Sequence, residues 1–220
     1  MRVRMAIAGV CALGFLGAAQ APAPAPAPPV GYLAANPIDT YRILPPAPVA
    51  GTPRYEADRT VFKDTRKLEG GPRWKLAQND DNSAAIMKDL SCALGVEITA
   101  RNAPTLAVMI PRIGRDSGRL TNLPKDQFKR QRPFLVDDGP ICIARPESYD
   151  YPSGHVTWSW TIGLIMAELA PDRATDILVR ARAFGESRLV CGVHNLSAVE
   201  AGRTNGSVVV AALHGEPAFR

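Results

Sequence analysis

From residue 54 onward the apolar positions of this chain recur with helical spacing, and strand-like alternation is scarce. RYEADRTVFKDTRKLEGG, residues 54–71, joins helix formers to a Gly-Gly stop. NSAAIMKDLSCALGV opens on an Asn/Ser cap signal and sets Ile86, Leu90 and Leu94 four residues apart. APTLAVMIPRIGRDSGRLTNLPKDQFKR reads as helical, with interruptions expected at Pro111 and Pro124, because proline lacks the N–H that a helix interior needs. SGHVTWSWTIGLIMAELAP lies between prolines and carries an apolar run, TIGLIMAELA, that reads as a buried helix. DRATDILVRARAFGES follows, with Asp172 as its expected cap, and NLSAVEAGRTNGSVVVAAL closes the chain. Residues 31–53 hold many prolines and little periodicity, so they are expected to wrap the surface. The pattern predicts an all-α protein, a compact single-domain bundle of about seven to nine helices.

The N-terminus reads differently. Arg2 and Arg4 precede an uncharged, mostly apolar run from Ala6 to Ala19, and small residues follow. That is the layout of a secretory signal peptide, and the run falls short of the roughly 20 apolar residues a bilayer span needs. Cleavage is expected after Ala19, with Ala21 the alternative, since Pro22 would sit awkwardly behind the second cut. APAPAPAPP then forms a stiff, extended tether. The expected organisation is a signal peptide at 1–19, a Pro-rich linker and wrap at 20–53, and a helical domain at 54–220. Export to the periplasm or beyond the cell follows, with no stable membrane insertion once the signal is removed.

Charge and cysteines narrow the picture. The formal net charge is +5, mild and scattered along the chain. That argues against a nucleic-acid surface and suits a small anionic ligand. Cys92, Cys142 and Cys191 lie beyond the signal. In an oxidising compartment they allow one disulfide and one free thiol. Cys92–Cys142 is favoured, although the sequence leaves the pairing open.

Three stretches carry chemistry. In the first, Lys125 and Arg132 are seven residues apart, two helical turns, with Pro133 behind them. They are expected to share a helix face and to offer an anion a point charge and a planar fork. In the second, YPSGH, Ser153 and Gly154 precede an apolar helix. The free N–H groups of its first turn would form an anion nest, with His155 beside it. In the third, SRLVCGVHNLSAVE, Arg188 lies six residues before His194. Each stretch alone has a plain structural explanation: a solvated basic face, a helix-start histidine, a core histidine. His214 lies in no motif, and no dense His/Asp/Glu cluster suggests a metal site.

In order, the stretches read K-x6-R-P, P-S-G-H and S-R-x5-H. This resembles the three-part signature of the type 2 phosphatidic acid phosphatase superfamily, which also contains the vanadium haloperoxidases. Within it the chain looks most like the bacterial class A nonspecific acid phosphatases. The matching stretches run from Lys125 to Glu200, about a third of the chain. The resemblance implies hydrolysis of small phosphomonoesters with broad specificity, extending to phosphotransfer to alcohols. His194 would be the nucleophile and His155 the general acid and base. Lys125, Arg132, Ser153, Gly154 and Arg188 would hold the phosphate, with no metal and no cofactor. Homodimers are common in such families; the sequence leaves the oligomeric state open.

One position departs from the pattern. The family signature continues H-x3-D, and that carboxylate orients the nucleophilic ring; here the position is Ala198. Ser197, a backbone carbonyl, or a remote acid such as Asp137 or Asp138 could substitute. Glu200 would stand about 120° off the histidine's face of a helix. Ala198 motivates an alternative reading, a phosphate- or vanadate-binding homologue with weakened catalysis. A vanadate-dependent haloperoxidase is the third, and the short chain fits it less well.

Overall fold

The computed structural model describes residues 29–34 and 38–220. The expected signal peptide and residues 20–28 of the linker lie outside the described residues. Among these residues there are eight α-helices and no strands, so the expected all-α class is borne out. The helices are α1 (Thr40–Ile43), α2 (Pro53–Arg66), α3 (Pro72–Asn79), α4 (Ile86–Leu94), α5 (Pro104–Phe128), α6 (Gly154–Leu169), α7 (Ala174–Val190) and α8 (Leu196–His214). No helix among the described residues is long and apolar enough to cross a membrane.

Helix α6 is the axis of the bundle and packs chiefly on α7 and α8, then on α5. Its Ile162, Ile165 and Met166 meet Ile177 and Phe184 of α7, Val209 and Leu213 of α8, and Ile113 and Leu120 of α5 in the main core. Two glycines set how closely α8 approaches. A Cβ on Gly202 would collide with Val156 and the Ser153 carbonyl, and one on Gly206 with the Thr157 carbonyl. Only glycine lets α8 lie directly against the first turns of α6, where the site is built.

Several elements differ from expectation. Helix α5 runs unbroken through Pro111 and Pro124. Pro124 offers no N–H to the Leu120 carbonyl, one turn back. That buried carbonyl instead accepts from Thr40 Oγ1 of α1 at 3.0 Å and Asn205 Nδ2 of α8 at 3.2 Å. Pro111 leaves the carbonyl of Ala107, an exposed residue that water can reach. Asp172 does not cap α7 directly; it lies in a 3-10 turn, Pro171–Arg173, and the helix begins at Ala174. Helix α3 was not expected. Its Gly71-Pro72 start looks like a terminator in sequence, yet proline fits the first turn of a helix.

The disulfide joins Cys142 to Cys191, and Cys92 is free and exposed on α4. This corrects the favoured Cys92–Cys142 pairing. Cys191 caps α7, and its carbonyl accepts from the Cys142 amide at 3.1 Å, so backbone pairing brings these two cysteines together.

Candidate active site

The end of α5, the loop 129–153, the start of α6 and the α7–α8 turn converge on one buried cluster. Lys125 lies in the last turn of α5. Arg132 does not continue that helix, so the two do not share a helix face as expected. Lys129 ends α5 in the left-handed conformation, at φ 46°. Pro133 holds the residue before it extended, and Arg132 has φ −73° and ψ 154°. The two cations meet through the next loop instead. Lys125 Nζ donates to the Tyr149 carbonyl at 2.7 Å, and Arg132 Nε to the Ser148 carbonyl at 2.6 Å. Both are buried. Burial, then Arg132, lowers Lys125 to about 8; burial lowers Arg132 to about 10.

The PSGH stretch forms the turn into α6. Ser153 is the N-cap, yet its Oγ makes no capping bond and is buried without a partner. Its amide donates to the Ala198 carbonyl at 3.0 Å, which ties this turn to the first turn of α8. The amides of Gly154 and His155 fall in the first turn of α6, where helix geometry provides no carbonyl for them. His155 Nε2 donates to the Asp81 carbonyl at 2.8 Å. Its pKa lies below the ordinary value, first through burial and then through Arg188.

Arg188 ends α7. It donates to Asp81 Oδ1 at 2.7 Å and to the Ala77 carbonyl at 2.8 Å, and its buried Nε has no partner. Arg66 closes the helix behind it by donating to the carbonyls of Leu189 and Val190 at 2.8 and 2.6 Å. Gly192 then turns the chain at φ 73°, where a Cβ would run into the Arg66 guanidinium. His194 follows, buried. Burial pushes its pKa well down, and Arg132, Lys125, His155 and Arg188 push it further. The four groups expected around the ring from three separate motifs therefore all act on it.

The ring of His194 touches a residue that sequence reasoning missed. Its Nδ1 lies 2.9 Å from Asp150 Oδ1, and its Nε2 lies 3.2 Å from Arg132 NH1. A guanidinium can only donate, so Nε2 carries the lone pair and Nδ1 the proton. Asp150 is wholly buried and also accepts from the Asn195 amide and Asn195 Nδ2, at 3.2 and 2.8 Å. Burial raises its carboxyl to about 6, against the pull of Arg130 and Asn195. Ser197, Asp137 and Glu200 are engaged elsewhere. Ser197 is bound to Asp58 and Arg130, Asp137 pairs with Arg59, and Glu200 faces Arg54 at 3.7 Å. Nothing in sequence marks Asp150 beyond its place three residues before Ser153.

The surroundings also sort the aromatic residues. Tyr151 is buried and donates to the Pro45 carbonyl, and Trp160 donates to Ser207, so neither flanks an open site. Trp158 and Gly154 instead border a cavity of about 460 Å³, walled by Ser83, Ile110, Gly114 and Gly118. Among the described residues no group of three or more His, Cys, Asp or Glu side chains could hold a metal ion.

The chain has relatives in sequence and in fold. A sequence model of the PAP2 superfamily matches residues 106–215, and the chain belongs to that superfamily. The resemblance to bacterial non-specific acid phosphatases is borne out by relatives over most of the chain. An acid phosphatase of Zymomonas mobilis subsp. mobilis is 40% identical over 189 residues, covering 83% of this chain and 72% of the relative. A non-specific acid phosphatase of Providencia stuartii is 32% identical, covering 83% and 77%. Solved structures agree on the fold. A bacterial vanadium-dependent iodoperoxidase superposes with a TM-score of 0.62 at 17% identity, over 79% of this chain and 52% of that one. A transmembrane PAP2-type phosphatidylglycerolphosphate phosphatase from Bacillus subtilis gives 0.52 at 16%, over 75% and 87%.

Proposed function

We propose that the chain is an exported acid phosphatase that hydrolyses phosphate monoesters through a phosphohistidine intermediate. Two buried polar atoms carry the reading: Ser153 Oγ and Arg188 Nε, each without a partner. Buried polar groups are almost always satisfied, so an orphaned pair within a cluster of cations asks for an oxyanion. Lys125, Arg132 and Arg188 supply the charge, and the Gly154 and His155 amides complete the cradle. The acid phosphatase relatives support the same reaction class.

The step balances on the residues present. The Nε2 lone pair of His194 forms a bond to phosphorus as the bond to the leaving oxygen breaks, and protonated His155 gives that oxygen its proton. Neutral His155 then takes a proton from water, whose oxygen attacks phosphorus, and the P–N bond breaks. The cations hold the equatorial oxygens throughout. The cavity that Gly154 and Trp158 line is largely apolar and would give a leaving group room at the start of α6, compatible with broad specificity. The weakened-homologue reading rested on Ala198, and Asp150 on His194 Nδ1 removes its motive.

The test is hydrolysis of p-nitrophenyl phosphate by the mature chain. Turnover that survives a chelator, is blocked by vanadate and disappears in His194→Ala is expected. Absence of turnover, loss on chelation or an active His194→Ala overturns the reading. The pH profile should peak on the acid side. His155 must be protonated, and burial, then Arg188 and Lys125, lowers its pKa against the pull of Asp81, so activity should already be falling as pH rises toward the ordinary histidine value. A rate that only climbs from pH 5 to 9 contradicts it.

A further inference from the structure

We propose that Asp150 is the positioning carboxylate of His194, supplying from the loop before α6 what the family pattern supplies from position 198. The inference rests on His194 being the nucleophile. It deepens that reading, because the sequence alone made this the site's missing part.

One nitrogen of His194 faces Arg132 and the other faces Asp150, with neither contact longer than 3.2 Å. The donor-only guanidinium fixes the lone pair on Nε2, the atom nearest the cations. The carboxylate then has one task, to accept from Nδ1–H and to stabilise the positive ring that forms as phosphorus is attacked.

Asp150 is itself held for that task. Asn195 binds both of its oxygens, Arg130 lies 3.5 Å from Oδ2, and its own amide donates to the Arg130 carbonyl at 2.9 Å. Arg130 is fixed in turn by Asp58 at 2.6 Å, and Asp58 accepts from the Ser197 amide at 2.7 Å. The chain of contacts runs from α2 through the loop to the first turn of α8. Every one of its side chains is buried or nearly so.

The relocation is geometrically natural. The Ser153 amide bonds the Ala198 carbonyl, and Tyr151 and Ala198 share one small core cluster with Leu44 and Ala201. Position 198 and the 150 loop are therefore neighbours across the turn into α6. The family pattern puts its carboxylate at position 198, and here that position is Ala198, fully buried among apolar neighbours. A site served from 150 has no need of an acid at 198.

The experiment compares wild type, Asp150→Asn, Asp150→Glu and the double variant Asp150→Asn/Ala198→Asp. The amide keeps the shape but cannot stabilise the imidazolium, so Asp150→Asn should lose about 10²-fold or more in kcat, with about 10⁴-fold as the ceiling set by the serine-protease precedent. KM and vanadate affinity should move less than about threefold, because the cations are untouched. Asp150→Glu should keep more activity than Asp150→Asn, and the double variant should regain at least tenfold over it. The far-downfield proton resonance of His194 Nδ1–H should be present in wild type and lost in Asp150→Asn. This last measurement needs no second substitution to fold. An Asp150→Asn enzyme within threefold of wild type in kcat, or one that loses kcat, vanadate binding and melting temperature together, overturns the proposal. So does a downfield resonance that survives the substitution. An inactive wild type strikes the phosphatase reading instead, and the resonance still reports on the Asp150 contact.

Discussion

The two sides of the His194 ring are built in opposite ways. On the Nε2 side, Lys125, Arg132 and Arg188 crowd together; burial lowers the pKa of each, and Arg132 lowers that of Lys125 further. On the Nδ1 side, charges alternate: Asp58, Arg130, Asp150, then the ring. The first arrangement is strained until an anion arrives, and the second is satisfied within the protein. The cationic side therefore spends folding stability on binding, whereas on the carboxylate side each charge has an opposite partner, and burial of Asp150, whose carboxyl is raised to about 6, is offset by Arg130 and Asn195. Substitutions should separate the two.

The largest effect falls on the ring between them. His194→Ala should lower kcat by about 10⁴-fold or more, since no other group can form the intermediate. It should leave a folded protein that still binds vanadate, measurable by calorimetry. Retained turnover would remove the nucleophile and with it the meaning of both sides.

Arg130→Met comes next and strikes the satisfied side. It strands Asp58 and Asp150 in the interior, and breaking a buried pair from one end costs about 3–5 kcal/mol. Stability and kcat should fall together, read from urea unfolding and initial rates. A variant that is slow yet as stable as wild type would break the distinction.

Lys125→Met should do the reverse. The fold holds the Lys125 pKa at about 8, below its ordinary 10.5. The unfolded chain binds its proton more tightly, so the wild-type stability deficit is fully present below pH 8 and disappears as pH rises toward 10.5. That difference corresponds to about 3 kcal/mol at neutral pH. Without phosphate, Lys125→Met should be as stable as wild type or up to that much more stable, and nearly inactive. Inorganic phosphate should raise the melting temperature of wild type and much less that of the variant. A marked loss of stability would show that its bond to the Tyr149 carbonyl outweighs the crowding.

The same division explains what the sequence could reveal. Lys125, Arg132, Ser153, Gly154, His155, Arg188 and His194 sit in short stretches whose spacing follows local geometry, and all of them reach the cluster. Even there the local reasoning failed once, because Lys125 and Arg132 meet through a left-handed residue and a loop rather than along a helix. Asp150 and its supports come from α2, the long loop and α8, and a buried carboxylate has no sequence mark of its own. Helices α5 to α8 were legible from apolar spacing and prolines. The unbroken course of α5 was not, since Thr40 and Asn205, distant in sequence, satisfy the carbonyl that Pro124 abandons.

The smallest expected effect is at the position that first looked defective. If Asp150 already serves the ring, Ala198→Asp in the wild-type background has no vacancy to fill. The new carboxylate would enter a site with no exposure, beside Tyr151 and Leu44, and, if it reached the ring as the family pattern implies, would compete with Asp150 for the same nitrogen. Like charges at one site raise the pKa of one of them, so the added acid would be held protonated and contribute no second stabilising charge. Activity should therefore stay the same or fall by no more than about tenfold, as measured by kcat on p-nitrophenyl phosphate. A gain would mean that the carboxylate side is incomplete as it stands, and that the contrast between a satisfied side and a waiting one is wrong where it matters most.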